Sequence, residues 1–365
     1  MITRKELDKV LYTNEVIKMY EEINTDIVKE IIRKIRETGD LTSYTKHQIR
    51  VISRNGGKEI FKQAILKTNK ISKKRKKELL LMYEKITKKD MVEYKELYEY
   101  RNKEYKLTNH QIDILEKMAK LTNRELKNYT RTIAFSSQKE FVNALDTMYK
   151  QVLSGGIDYQ TAFRKTTNDL ANKGITLKMK DGRNRSIEAA VRQNIDYGLK
   201  QTVQLINYDL ADELEADAVQ INITPNCRPT HEIINGKIFS LDPKNKKYPY
   251  FKKEYKELME EYNCHHRISP FIIGVSEPVY TKKEIKEADN RVVNYKGKQI
   301  SYYEATQKQR QLEREIRNAK KSYMSNPSLE NNQLINEKQR KMRKFIKETG
   351  LERQYDREYF AGYNK

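Results

Sequence analysis

This 365-residue sequence predicts a mainly α fold with a small α+β module, and three observations carry that reading. Gly and Pro number 13 and 7, too few for the many turns of an all-β chain of this length. Apolar residues recur at steps of three and four through the first 215 positions, the spacing of a helix face. Six of the seven prolines then fall between 225 and 278, where short alternating runs replace the helical period.

Taken in order, Val16, Tyr20, Ile23, Ile27, Ile31 and Ile35 predict a helix over 15–38, ended by Gly39. A short helix over about 43–54 should stop at Asn55-Gly56-Gly57. Ile60, Phe61, Ala64 and Ile65 mark another, and Ser72 can cap a long charged helix reaching roughly 106. Three capping boxes follow, Thr108…Gln111, Thr122…Glu125 and Ser137…Glu140, each opening an apolar run and so predicting three helices in series. Gly155-Gly156 should end the series. Asp158 opens a helix closed by Gly174, residues 175–185 read as a hairpin turning at Asp181-Gly182, and Ser186 caps a long helix to about 215. Strands are expected at 218–223, 237–239 and 271–273. A second hairpin is expected at 292–300 around Lys296-Gly297. Helices over about 302–324 and 328–349 finish the reading, closed by Gly350. The expected organisation is a basic helical arm or bundle (1–156), a helical core segment (157–216), the Cys/His module with its hairpin (217–300) and C-terminal basic helices (301–365).

Composition narrows the function classes. No run of 18 apolar residues occurs, so no membrane span is expected, and the N-terminal stretch lacks the apolar segment of a signal peptide. Two cysteines in such a chain point to synthesis in a reducing compartment. The formal charge is +22 and unevenly spread. Residues 1–150 hold 34 basic and 22 acidic side chains, net +12; 151–280 hold 18 and 17, net +1; 281–365 hold 21 and 12, net +9. Basic ends around a neutral middle suit contact with a polyanion. An A/T-rich genome, which inflates Lys, Asn, Ile and Tyr together, is the blander source of the same excess.

Both cysteines and three of the five histidines lie within forty residues, as Cys227-x3-His231 followed by Cys264-His265-His266. Thiolate and imidazole are the donors zinc prefers, and a small module gains folding energy from such a site. Three readings stand: a structural zinc on Cys227, His231, Cys264 and a second histidine; a hydrogen-bonded polar core; or a metal-dependent nuclease with His265 or His266 as general base. For the nuclease, Glu232 and Glu261 are near in sequence, as charged helix faces supply by chance. A Cys227–Cys264 disulfide is a further option for a protein that matures outside the cell. No nucleotide-binding glycine loop, HExxH or GxSxG occurs. Arg183, Arg185 and Ser186 at a helix start can contact a phosphate, or form a solvated turn and an N-cap.

The run Thr224-Pro225-Asn226-Cys227-Arg228-Pro229-Thr230-His231 is followed by Asn235-Gly236-Lys237-Ile238-Phe239-Ser240. Asn263-Cys264-His265-His266-Arg267-Ile268-Ser269-Pro270-Phe271 and Gly274-Val275-Ser276 come next. Together they resemble the phage minor capsid protein 2 family of tailed phages and prophages of Gram-positive bacteria. Arg228, Pro229, Gly236, Lys237, Asn263, Pro270 and Phe271 carry the likeness, with further agreement at 182–192, 303–314 and 349–358. It covers about 150 to 365; the first 150 residues agree only in being helical. More distantly, the module is similar to the head-morphogenesis proteins named after the F protein of phage Mu. The resemblance implies pairing Cys264 with His266 rather than His265. Its departures are His265 where the family has Arg, and Cys227 where the family is not reliably Cys, which favours a polar core over a four-ligand zinc. Some relatives carry a toxin or enzyme domain after the module, which is not expected here.

What the resemblance implies is a non-enzymatic structural virion protein inside the capsid, present in host cytoplasm during assembly. Its partners would be the portal protein, other head proteins and packaged double-stranded DNA bound without sequence preference, with no required cofactor beyond the candidate zinc. The competing functions are the nuclease and a transient scaffold-type interaction protein.

Overall fold

The computed structural model describes residues 14–179, 182–225, 227–261, 264–325, 327–360 and 363. Asp181, Asn226 and Asn263, used in the sequence reading, lie outside them. The fold is mainly helical with a few short strands, as expected.

Helix α1 (Glu15–Glu37) is capped by the Asn14 side chain, which accepts from the Val16 amide at 2.8 Å. Its apolar stripe lies at the centre of the bundle, with Ile17, Tyr20, Ile31 and Ile35 fully buried. Around it pack α2 (Lys46–Lys70), α3 (Ser72–Met91), α5 (Asn109–Leu153), α6 (Tyr159–Lys173) and α7 (Ile187–Glu213), while the short α4 (Lys95–Tyr100) meets the end of α7 through Tyr98 and Glu213. One continuous cluster of buried side chains runs from Val16 to Leu214, so the N-terminal helices form a bundle and share their core across residue 156.

Three expectations for this region are corrected. Helix α2 runs straight through Gly56-Gly57 instead of stopping there. These glycines face α5: a Cβ on Gly56 would sit 2.7 Å from the Phe141 ring, and one on Gly57 would sit 3.2 Å from Gln138 Cγ. Their lack of side chains allows close helix packing, which outweighs their cost in helix propensity, about 1 kcal/mol each. Second, the three helices expected between 108 and 153 are one helix of 45 residues. Only Thr108–Gln111 closes a capping box; Thr122 instead meets the Tyr83 hydroxyl at 2.6 Å, and Ser137 donates back to Ile133 O at 2.6 Å. A hydroxyl inside a helix has these alternatives to capping. Third, the charged helix expected to reach 106 ends at Met91, and Ser72 does not cap it.

The hairpin β1 (Thr176–Lys178) with β2 (Asn184–Ser186) leads into α7, as expected. The module then builds a three-stranded antiparallel sheet in the order β4-β3-β5, from β3 (Ala218–Ile221), β4 (Ile238–Ser240) and β5 (Ile268–Phe271). The strand expected at 271–273 lies three residues earlier. Pro270 fits there because β5 is an edge strand, where a missing amide donor is tolerated. Helices α8 (Lys253–Glu260) and α9 (Lys282–Asp289) were not anticipated. The second hairpin, β6 (Val292–Tyr295) with β7 (Lys298–Ser301), and helices α10 (Tyr302–Ser325) and α11 (Leu329–Thr349) form as read, with Gly350 left-handed at φ 68°. The chain folds back through α12 (Tyr355–Glu358), where the Arg353 guanidinium grips Glu358 with two bonds of 2.7 Å.

Buried polar joints connect these parts. Arg267, just before β5, points to Asp90 of α3 at 3.4 Å. Asn207 of α7 donates to the same carboxylate at 3.2 Å and to Ile268 O at 2.8 Å. On the other side, Lys321 of α10 pairs with Glu188 of α7, both buried.

Candidate functional site

The site forms where β3 exits the sheet and where the chain re-enters it at β5. Pro229 starts a single 3-10 turn, Pro229–His231, which turns His231 inward. Cys264 and His266 stand two residues apart on the extended approach to β5, so both face the same side. The three residues are at most 4% exposed. Cys264 Sγ lies 3.5 Å from His231 Nδ1 and 3.5 Å from His266 Nδ1. The two rings stack with centroids 5.6 Å apart.

Each imidazole is held from behind. His266 Nε2 is 3.0 Å from Asn235 Oδ1, and His231 Nε2 is 3.3 Å from Glu261 Oε2. Glu261 in turn pairs with Arg228. Lys200, reaching in from α7, donates to Glu261 O at 3.1 Å. Burial lowers the His266 pKa to about 3, with His231 and Lys200 adding to the effect. Burial also lowers that of His231, against the opposing pull of Glu261. It raises that of Cys264, and pushes Cys227 up to about 12.

A cavity of about 120 Å³ opens beside the cluster, walled by Thr224, Cys227, Arg228 and His265 and by Tyr303, Gln307 and Arg310 of α10. The motif at 303–314 and the Cys/His motifs, some forty residues apart in sequence, therefore face one another across it. Sequence reading did not anticipate this convergence, nor the roles of Lys200 and Asn235. The helical spacing of Tyr303, Gln307 and Arg310, at steps of four and three, was the available signal for the wall.

Of the four sequence candidates for a metal, His231, Cys264 and His266 have ligand atoms all within 4.8 Å of one another. Cys227 lines the cavity but stands outside that group. Both cysteines are free, so the disulfide option is overturned. Glu261, set aside in the sequence as a chance neighbour, is the carboxylate on His231.

The other motif residues have structural places. Gly236 has φ 71°, and a Cβ there would lie 2.8 Å from both Ile223 and Ile285. Lys237 Nζ donates to Ile233 O at 3.1 Å, and Phe271 packs edge-on against Tyr248. At the start of α7, Ser186 accepts from the Ala189 amide at 3.4 Å, and the buried Glu188 occupies the first turn. That helix start is thus supplied with an acceptor and a negative charge from within the chain, while Arg183 lies exposed on the hairpin and Arg185 is half-buried.

Fold and cluster together define a mainly helical protein carrying a compact Cys/His α+β module. The chain matches the family model of phage minor capsid protein 2 over residues 3–348 and belongs to that family. The match extends the motif resemblance, which began near residue 150, back through the N-terminal bundle, and it ends short of the run at 349–358. Membership brings a structural role in the phage head and a place in the virion. No curated protein and no solved structure matches the chain. Among the described residues, no helix is long and apolar enough to cross a membrane.

Proposed function

We propose that the protein is a minor component of the head interior, docked near the portal, which assists head assembly and contacts packaged DNA through basic helical faces without catalysis. The distribution of exposed cations carries the reading of DNA contact. In α3, Lys73, Lys74, Lys76 and Lys77 are exposed, while Arg75 between them turns inward to Tyr20 and Asn123 at 2.9 Å each. In α11, Arg340, Lys341, Arg343, Lys344 and Lys347 are exposed around a buried Met342 and Phe345. Apolar stripes anchor both helices, and their cations are presented outward where phosphates can displace solvent counterions.

Filter binding of the full chain to duplex DNA of several sequences, titrated with salt, tests the DNA contact. Affinity should be independent of sequence and fall steeply with salt. Replacing Lys73, Lys74, Lys76 and Lys77 by Gln should flatten the salt slope by about 3–4. Absence of binding at low salt would remove DNA from the proposed partners.

A further inference from the structure

We infer that His231, Cys264 and His266 form a zinc site that ligates through Sγ and two Nδ1 atoms, with its fourth position open to the cavity. The argument begins with Asn235. Its amide nitrogen donates to Asp289 at 2.6 Å, which fixes the side chain so that Oδ1 accepts from the Thr224 amide at 2.7 Å and from His266. His266 must therefore carry its proton on Nε2, leaving Nδ1 bare. The same reasoning applies to His231, whose Nε2 faces a carboxylate that can only accept.

Two bare nitrogens thus face one sulfur. A neutral thiol has one proton and can satisfy one of them; among the described residues, neither Nδ1 has another side-chain donor. The second lone pair would be buried without a partner, at a cost of about 1–3 kcal/mol. A cation at the centre removes the conflict by accepting all three lone pairs. The spacing agrees: tetrahedral zinc, with bonds of about 2.3 Å to sulfur and 2.0–2.1 Å to nitrogen, places those donors about 3.5 Å apart. Both Sγ···Nδ1 separations are 3.5 Å. The groups behind the rings, a carboxylate and an amide oxygen, are those that orient metal-bound imidazoles elsewhere.

The full-length chain, purified without chelator, should contain about one zinc per molecule by elemental analysis. Cys264→Ser and His266→Gln should abolish it. Cys227→Ser should retain it, because three side chains suffice; loss as complete as in Cys264→Ser would overturn the assignment. Asn235→Ala should weaken zinc affinity about 10–100-fold. Where a ligand variant fails to fold, cobalt exchanged into the wild-type chain gives the same answer: tetrahedral visible bands with a thiolate charge-transfer band are expected. A chain that arrives metal-free, takes up no zinc in calorimetric titration and melts unchanged in chelator would show a purely hydrogen-bonded core and sink the proposal.

Discussion

The N-terminal bundle and the Cys/His module reach stability by different routes. The bundle buries one long apolar cluster, from Val16 to Leu214, with polar pairs such as Arg75–Tyr20 and Tyr83–Thr122 set within it. The module rests on a small cluster that includes Val219, Ile221, Phe239 and Ile268, supplemented by the side-chain network around Asn235, His231 and His266. Where apolar area is plentiful, helix packing carries the larger share; where it is scarce, matched polar groups weigh more.

The largest test of this contrast lies at the joint between the regions. Asp90→Ala removes the carboxylate facing Arg267 and Asn207, and should cost about 3–5 kcal/mol in denaturant melts. Hydrogen exchange should accelerate first in β5 and its approach, leaving the centre of α1 protected; equal acceleration everywhere would mean that the two regions melt as one. Next comes packing within the bundle. Gly198→Ala improves helix propensity, yet its methyl would meet the Tyr83 and Thr122 hydroxyls. It should destabilise by about 1–3 kcal/mol, and a more stable variant would show that the contact yields easily.

The smallest expected effect depends on pH. Burial, with the nearby Glu188, raises the Glu21 pKa to about 7 despite Arg192, Lys321 and Arg317. A raised carboxyl pKa favours the fold at low pH, and that contribution fades as pH rises from the ordinary 4.5 through about 7. Glu21→Gln should therefore raise the melting temperature at pH 8, by about 1–2 kcal/mol equivalent, and have little effect at pH 4. Glu188 behaves oppositely. Burial works against its charge, but Lys321 brings its pKa to about 2, so its contribution is present above 4.5 and fades as pH falls toward 2. Between them, these two groups should place the stability maximum near pH 4.5, with losses toward pH 2 and toward pH 7. A flat profile between pH 4.5 and 7 would argue against the Glu21 shift, and one between pH 2 and 4.5 against the Glu188 shift.

Much of this architecture was legible in the residues. Periodic apolar stripes placed α1, α6, α7, α10 and α11 because burial on one face leaves a regular trace. Glycines and hydroxyls misled where their role was tertiary. Gly56 reads as a stop until Phe141, 85 positions away, is known to need its space. Thr122 reads as a cap until Tyr83 is beside it. The same holds at the site: the clustering of scarce Cys and His residues identified three of its members, but Lys200 and Asn235 are ordinary residues whose importance comes only from what they face.

The pairing of Lys321 with Glu188 has a consequence for synthesis. A ribosome delivers Glu188 more than a hundred residues before its partner. The bundle can assemble as it emerges, but with a carboxylate committed to its interior and not yet neutralised. A chain truncated before α10 should therefore be cut faster by protease than the full chain; equal rates would show that the pair adds little. The pair with Lys321 on α10 is what neutralises that carboxylate in the finished fold.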